Sequence, residues 1–82
     1  MKKIMVYALS TCPFCRMTKN YFRSRNIPFD SVDVDLLSDE EREKTVEEVQ
    51  KISGRRAFPV IVIDEEVIVG YDEVSIQEAL EK

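Results

Sequence analysis

Cys12 and Cys15 are the only cysteines of this chain, and they stand three apart in Ser10-Thr11-Cys12-Pro13-Phe14-Cys15-Arg16. Two thiols at that spacing can close into a disulfide and open again. The thiolate, not the thiol, attacks a disulfide, and a free cysteine has a pKa of about 8.5. An apolar run from Ile4 to Leu9 precedes the pair, and a helix-like segment follows it. A cysteine at a helix start meets unpaired backbone N–H groups and the positive end of the helix dipole, both of which favour its anion. The pattern predicts a dithiol–disulfide site, with Cys12 as the exposed nucleophile and Cys15 as the more buried resolving thiol. The plain alternative is a structural pair or half of a metal site. Two cysteines supply only half of a tetrahedral site and the chain has no His, so no metal is expected.

The elements that must position this pair can be read from the rest of the chain. Ile4-Met5-Val6-Tyr7-Ala8-Leu9 is continuously apolar, as in a strand buried on both faces. Pro13 suits the first turn of a helix, where its missing N–H costs nothing. Phe14, Met17 and Tyr21 recur at helical spacing, and Met17 and Tyr21 are expected in the core. That helix should stop near Asn26, before Pro28. Val32-Asp33-Val34-Asp35 alternates like a half-exposed edge strand. Ser38 with Glu41 fits a capping box for a second helix carrying Val46, Val49 and Ile52 on one face, and Gly54 should end it. Pro59 to Ile63 reads as a buried strand. A turn at Asp64-Glu65-Glu66 then leads into Val67-Ile68-Val69, which completes a hairpin. Gly70-Tyr71 breaks it, and Asp72 can cap a last helix with Val74, Ile76, Ala79 and Leu80 inside. The order is β-α-β-α-β-β-α, with the first two strands parallel through a right-handed crossover. This is an α/β fold, the thioredoxin-like sandwich in minimal form, with a four-stranded mixed sheet whose strands one and three are central.

Length and composition set the boundaries. Eighty-two residues fit one domain, expected over 1–82. Apolar content of 44% and charged content of 34% match an ordinary soluble domain. No apolar run approaches the ~20 residues of a membrane span, and Met1-Lys2-Lys3-Ile4 reads as the entry to a strand rather than a signal peptide. A net charge of −4 with scattered cations argues against nucleic-acid binding. A lone cysteine pair with no export signal is expected to be redox-active in the cytoplasm. A monomer is the default.

Three stretches carry a family likeness, and it covers nearly the whole chain. Cys12-Pro13-Phe14-Cys15 resembles the Cys-Pro-Tyr-Cys active site of glutaredoxins. Gly54-Arg55-Arg56-Ala57-Phe58-Pro59 stands where that family has a Thr-Val-Pro segment with a cis proline. Val69-Gly70-Tyr71-Asp72 resembles the Gly-Gly-Cys-Asp stretch that receives the γ-glutamyl end of glutathione. Departures accompany the likeness. Ala57, Phe58, Val69 and Tyr71 replace the family's Thr, Val, first Gly and Cys, and Leu9-Ser10 stands where a Lys is usual. They bear on glutathione specificity more than on dithiol chemistry.

The resemblance implies a thiol–disulfide oxidoreductase that binds no cofactor and uses glutathione as reductant to reduce protein or glutathione mixed disulfides. It implies catalytic roles for Cys12, Cys15 and a cis Pro59, against a base rate of about 5–6% for cis X–Pro bonds. It places Phe14, Arg16, Arg56, Ala57, Phe58, Gly70, Tyr71 and Asp72 at the glutathione or substrate site. Plain alternatives stand beside these roles: solvated arginines, a strand-breaking glycine, and an Asp that only caps its helix. Two other functions remain open. One is a redoxin fed by thioredoxin reductase that donates electrons to ribonucleotide reductase or other proteins. The other, less favoured, is an iron–sulfur cluster-binding protein.

Overall fold

A computed structural model of the chain describes residues 2–55 and 57–82. The elements are β1 (Ile4–Ala8), α1 (Pro13–Ser24), β2 (Asp30–Asp33), a 3-10 turn (Val34–Leu36), α2 (Asp39–Ser53), β3 (Val60–Ile63), β4 (Glu66–Val69) and α3 (Glu73–Glu81). The sheet order is β2-β1-β3-β4. β1 runs parallel to β2 and antiparallel to β3, and β4 returns antiparallel on β3. The thioredoxin-like order and the central places of strands one and three are those expected. Among the described residues no helix is long and apolar enough to cross a membrane.

The register explains the core. Ile4 faces Ile63 and Val6 faces Ile61 across β1 and β3, and Ile61 faces Ile68 across the hairpin. Successive strand residues point to opposite faces, so these isoleucines and valines share one face of the sheet. They bury themselves with Cys15, Tyr21 and Phe22 of α1 and Ile76 and Ala79 of α3. The opposite face carries Tyr7 and Val60, and Glu48 of α2 acts electrostatically on Tyr7. β1 is therefore not sealed on both sides as its apolar run suggests. Ile4, Val6 and Ala8 are buried, while Met5 and Tyr7 are half-buried.

Other differences have local causes. β2 spans Asp30–Asp33 rather than Val32 to Asp35, because its ladder ends where Asp33 meets Ala8, the last residue of β1. Beyond that point the chain has no partner and coils into the 3-10 turn at Val34. On α1 the buried stripe is Cys15, Thr18, Tyr21 and Phe22. Met17 is 45% exposed, not core. Thr18 is tolerated inside because its hydroxyl donates to the Phe14 carbonyl at 2.9 Å. Ile52 and Val74 also face outward, so α2 buries only Val49 fully and α3 buries Ile76 and Ala79.

The helix ends follow the sequence signals. Ser38 Oγ accepts the Glu41 N–H at 3.3 Å. Gly54 closes α2 at φ 76°, a left-handed position that favours glycine. Asn26 takes φ 56° just past α1, before Pro28. Phe22 lies at the centre of this arrangement, fully buried between the sheet and the rings of Tyr21 and Phe29. Phe22→Ala is expected to lower unfolding free energy by about 3–5 kcal/mol, read from the urea midpoint.

Candidate active site

One end of the sheet gathers the loops. Tyr7 faces Val60, so Pro59 lies across from Ala8, and Val60 faces Val69, so Gly70 lies beyond Pro59. Ala8 also faces Asp33. The Leu9–Cys12 turn, the Phe58–Pro59 bond, the Gly70–Asp72 loop and the 3-10 turn thus emerge at a single edge. Ligands in open α/β sheets bind outside the carboxyl ends of strands.

Cys12 is the N-cap of α1, in extended conformation (φ −83°, ψ 120°), with Pro13 opening the first turn. Its backbone N–H donates to the Leu9 carbonyl at 3.2 Å, and its carbonyl accepts the Arg16 N–H at 3.1 Å. Its sulfur accepts the Cys15 N–H at 3.4 Å. An N-cap oxygen ordinarily satisfies such a donor, and here a thiol does so. Cys15, one turn on, is 1% exposed, and its sulfur accepts the Leu9 N–H at 3.4 Å. Both thiols are free.

The two sulfurs are set apart electrostatically. For Cys12, burial is the largest single influence and opposes ionisation. The Cys15 thiol and the N–H groups of Cys15 and Phe14 together outweigh it and hold the Cys12 pKa below its ordinary value. For Cys15, burial again leads and pushes the thiol up to about 11, against the Leu9 N–H and with help from Cys12. The Lys19 charge offsets a little of that rise.

The Phe58–Pro59 bond is cis, and Pro59 is buried. Its carbonyl accepts the Gly70 N–H at 2.7 Å, which ties the two loops together. Gly70 holds φ 87° to turn the chain from β4 toward α3. Ala57 is half-buried, and Phe58 and Tyr71 pack against the same core as Cys12. Tyr71 meets Tyr21 edge-on at 6.5 Å. Asp72 is engaged as a cap: its two carboxylate oxygens accept from the Ser75 N–H at 3.2 Å and the Ser75 hydroxyl at 2.9 Å. These bonds hold its carboxyl below the usual range. Phe14 is 58% exposed beside the sulfurs, and Arg16 is exposed. Arg56 lies outside the described residues.

Two contacts were not foreseen. Asp35, in the 3-10 turn, accepts the Ser10 backbone N–H at 2.8 Å and also the Ser10 hydroxyl. It anchors the residue next to Leu9, whose own N–H and carbonyl bond the two cysteines. Lys19 pairs with Asp33 at 2.7 Å across α1 and β2. Neither contact has a local sequence signal, because the partners meet only once β2 has paired with β1. The Ser10 bonds hold the Asp35 carboxyl below its ordinary value.

The glutaredoxin family model matches residues 4–68. The chain belongs to the glutaredoxin family. Members of that family are thiol–disulfide oxidoreductases. A glutaredoxin-like 8.6 kDa protein in the rubredoxin operon of Clostridium pasteurianum is 40% identical, covering 96% of this chain and 99% of the relative. The glutaredoxin of Archaeoglobus fulgidus superposes with a TM-score of 0.93 at 34% identity, over 100% of this chain and 89% of that one. The methanoredoxin of Methanosarcina acetivorans follows with a TM-score of 0.89 at 38% identity, over 98% and 85%.

The split between the glutaredoxin thiols should be visible in alkylation of the reduced protein. One cysteine is expected to react with iodoacetamide with a pH midpoint below that of a free cysteine, and peptide mapping should place it at Cys12. Cys15 should resist until pH approaches about 11. Asp35→Asn tests a second consequence. A carboxyl depressed in the folded state adds stability at neutral pH that is lost as pH falls through its folded pKa, because the unfolded chain binds protons first. The Asn variant should therefore lose less stability on acidification than the parent, read by urea unfolding across pH.

Proposed function

We propose that this glutaredoxin reduces protein and glutathione mixed disulfides with its dithiol and is re-reduced by glutathione. The observation that supports the reading is the opposed pair of thiols, one half-buried rather than exposed and favoured as an anion, and one fully buried and kept protonated. The Cys12 thiolate attacks one sulfur of the substrate disulfide. A Cys12–substrate disulfide forms, and the other substrate sulfur leaves as a thiolate that takes up a proton. Cys15 then gives up its proton and attacks Cys12. The Cys12–Cys15 bond closes and the remaining substrate thiolate leaves and is protonated. Two electrons and two protons have passed to the substrate. Two glutathione molecules restore the dithiol and become glutathione disulfide.

Ala57, Phe58 and Pro59 lead into β3 at the edge of the sheet where the Cys12 loop emerges, and a substrate backbone would pair with this segment in strand fashion. The positive end of α3 beside Gly70 favours a carboxylate, and Asp72 keeps lone pairs for an ammonium. Those features suit the γ-glutamyl end of glutathione. Phe14, Arg16, Arg56, Ala57, Phe58 and Tyr71 complete the proposed substrate site. The protein is proposed to act as a cytoplasmic monomer. A second reading is favoured by Ala57, Val69 and Tyr71 at the positions where the resemblance departs: a redoxin fed by thioredoxin reductase.

The test is NADPH-coupled reduction of a small mixed disulfide in two arms. Turnover with glutathione and glutathione reductase is the expected result. Turnover only with thioredoxin reductase would replace glutathione with the second reading and withdraw the glutathione contacts. In either arm Cys12→Ser should abolish turnover, and without glutathione Cys15→Ser should accumulate the mixed disulfide on Cys12.

A further inference from the structure

Helix α1 presents two unlike flanks beside its buried stripe. Phe14 and Met17 lie on one side, next to the buried Tyr21, which meets Tyr71 at the entry to α3. Arg16, Lys19, Asn20 and Arg23 lie on the other, at the i, i+3, i+4 and i+7 spacing of one helix face. With Ser10 and Asp33 these four line an open groove of about 330 Å³. Ser10 is two residues before Cys12, so the groove begins at the nucleophile's own loop. Asp33 belongs to β2, so it runs on the β2 side of β1, whereas Pro59 enters on the β3 side.

The groove is cationic on a chain of net charge −4. Its one lining carboxylate, Asp33, is already bound to Lys19 at 2.7 Å. The nearby Asp35 carboxylate is turned to the Ser10 donors. Arg16 and Arg23 form no ion pair among the described residues, unlike Arg25, Arg42, Lys44 and Lys82. Arg23 is steered by the Phe29 ring, 5.8 Å from its guanidinium carbon. Seven residues of helix separate the two arginines by ~10 Å along the axis. That is the length of about three residues of extended chain, too far for one small carboxylate to span.

We propose that this groove docks an acidic segment flanking the disulfide of a protein substrate. The proposal deepens the oxidoreductase reading and rests on it. The segment's carboxylates meet Arg16 and Arg23 while the disulfide lies over Cys12, and the cis-proline side receives the other half of the substrate. Arginine suits this task through its planar fork of donors, which matches a carboxylate.

The experiment is single-turnover reduction by the full, pre-reduced chain, which needs no regenerating system. Three peptides are compared, each with one cysteine in a mixed disulfide with a small neutral thiol and flanked by two Glu, two Ser or two Lys. At low salt the Glu peptide should be reduced about three- to tenfold faster per unit concentration than the Lys peptide, the range set by two exposed ion pairs. The difference should collapse in about 1 M salt, where the screening length is ~3 Å. Arg23→Glu should erase or invert the preference. Asn20→Glu, which leaves the Arg23–Phe29 contact in place, should weaken it. Equal rates for all three peptides at low salt, or a preference unchanged in both variants, would overturn the groove assignment while leaving the oxidoreductase reading intact. Reduction of none of the peptides would overturn both.

Discussion

A helix must find acceptors for its first N–H groups, and α1 finds one in a sulfur. Cys12 stands where Ser or Asp would normally cap, and its Sγ takes the Cys15 N–H. The contact is both structural and chemical. A thiolate is a better acceptor than a thiol, so the cap that starts the helix also favours the reactive anion. The same turn of helix carries Cys15 down against Leu9, where burial favours the neutral form. A single helix start thereby separates two identical side chains into an attacking and a resolving thiol.

That helix start depends on the sheet beneath it. β1 must end at Ala8, so that the four residues from Leu9 to Cys12 can turn and the Leu9 carbonyl can accept the Cys12 N–H. The neighbours in the sheet end at the same level. β2 runs out at Asp33 and releases Asp35 to hold Ser10. β3 begins just after the cis Phe58–Pro59 bond, and Gly70 returns its N–H to Pro59 as β4 ends. Each loop at this edge is therefore fixed by a hydrogen bond to another loop or to the end of a strand. Loops fixed in this way can carry a site because the scaffold holds their geometry.

Much of this was legible in the residues, because the signals were local. The caps at Ser38, Gly54 and Asp72, the hairpin after Pro59 and the cysteine pair each depend on a few adjacent positions. What escaped was set at a distance. Tyr21 is buried as its spacing suggests, but it can be joined either by Phe14 and Met17 or by Cys15, Thr18 and Phe22, and periodicity alone favours the set without a threonine. Packing chose the other, because Cys15 must reach Leu9 and because Thr18 satisfies its hydroxyl within the helix. The alternation of Val32 to Asp35 reads as one strand, yet its second half has no residue of β1 left to pair with. Asp35 reads only as the last polar position of that alternation. Its contact with Ser10 exists only through the parallel pairing of β1 and β2.

The outward turn of Met17 has a consequence for the surface. Since the stripe of α1 that meets the sheet is narrow, the helix keeps two exposed flanks, and the nucleophile at its head borders both. On the flank toward α3, Arg25 lies over the Tyr21 ring at 3.7 Å and pairs with Glu73 at 3.5 Å, so its charge is neutralised locally. On the flank toward β2, the carboxylate of Asp33 is spent on Lys19, and Arg16 and Arg23 are left without an acidic partner among the described residues. Among the described residues, two positive charges of this acidic chain are thus left without an ion pair along a line that starts at Cys12. A negatively charged partner gains most from that line when its own disulfide is over the sulfur. The asymmetry of α1 can therefore orient a substrate as well as attract it.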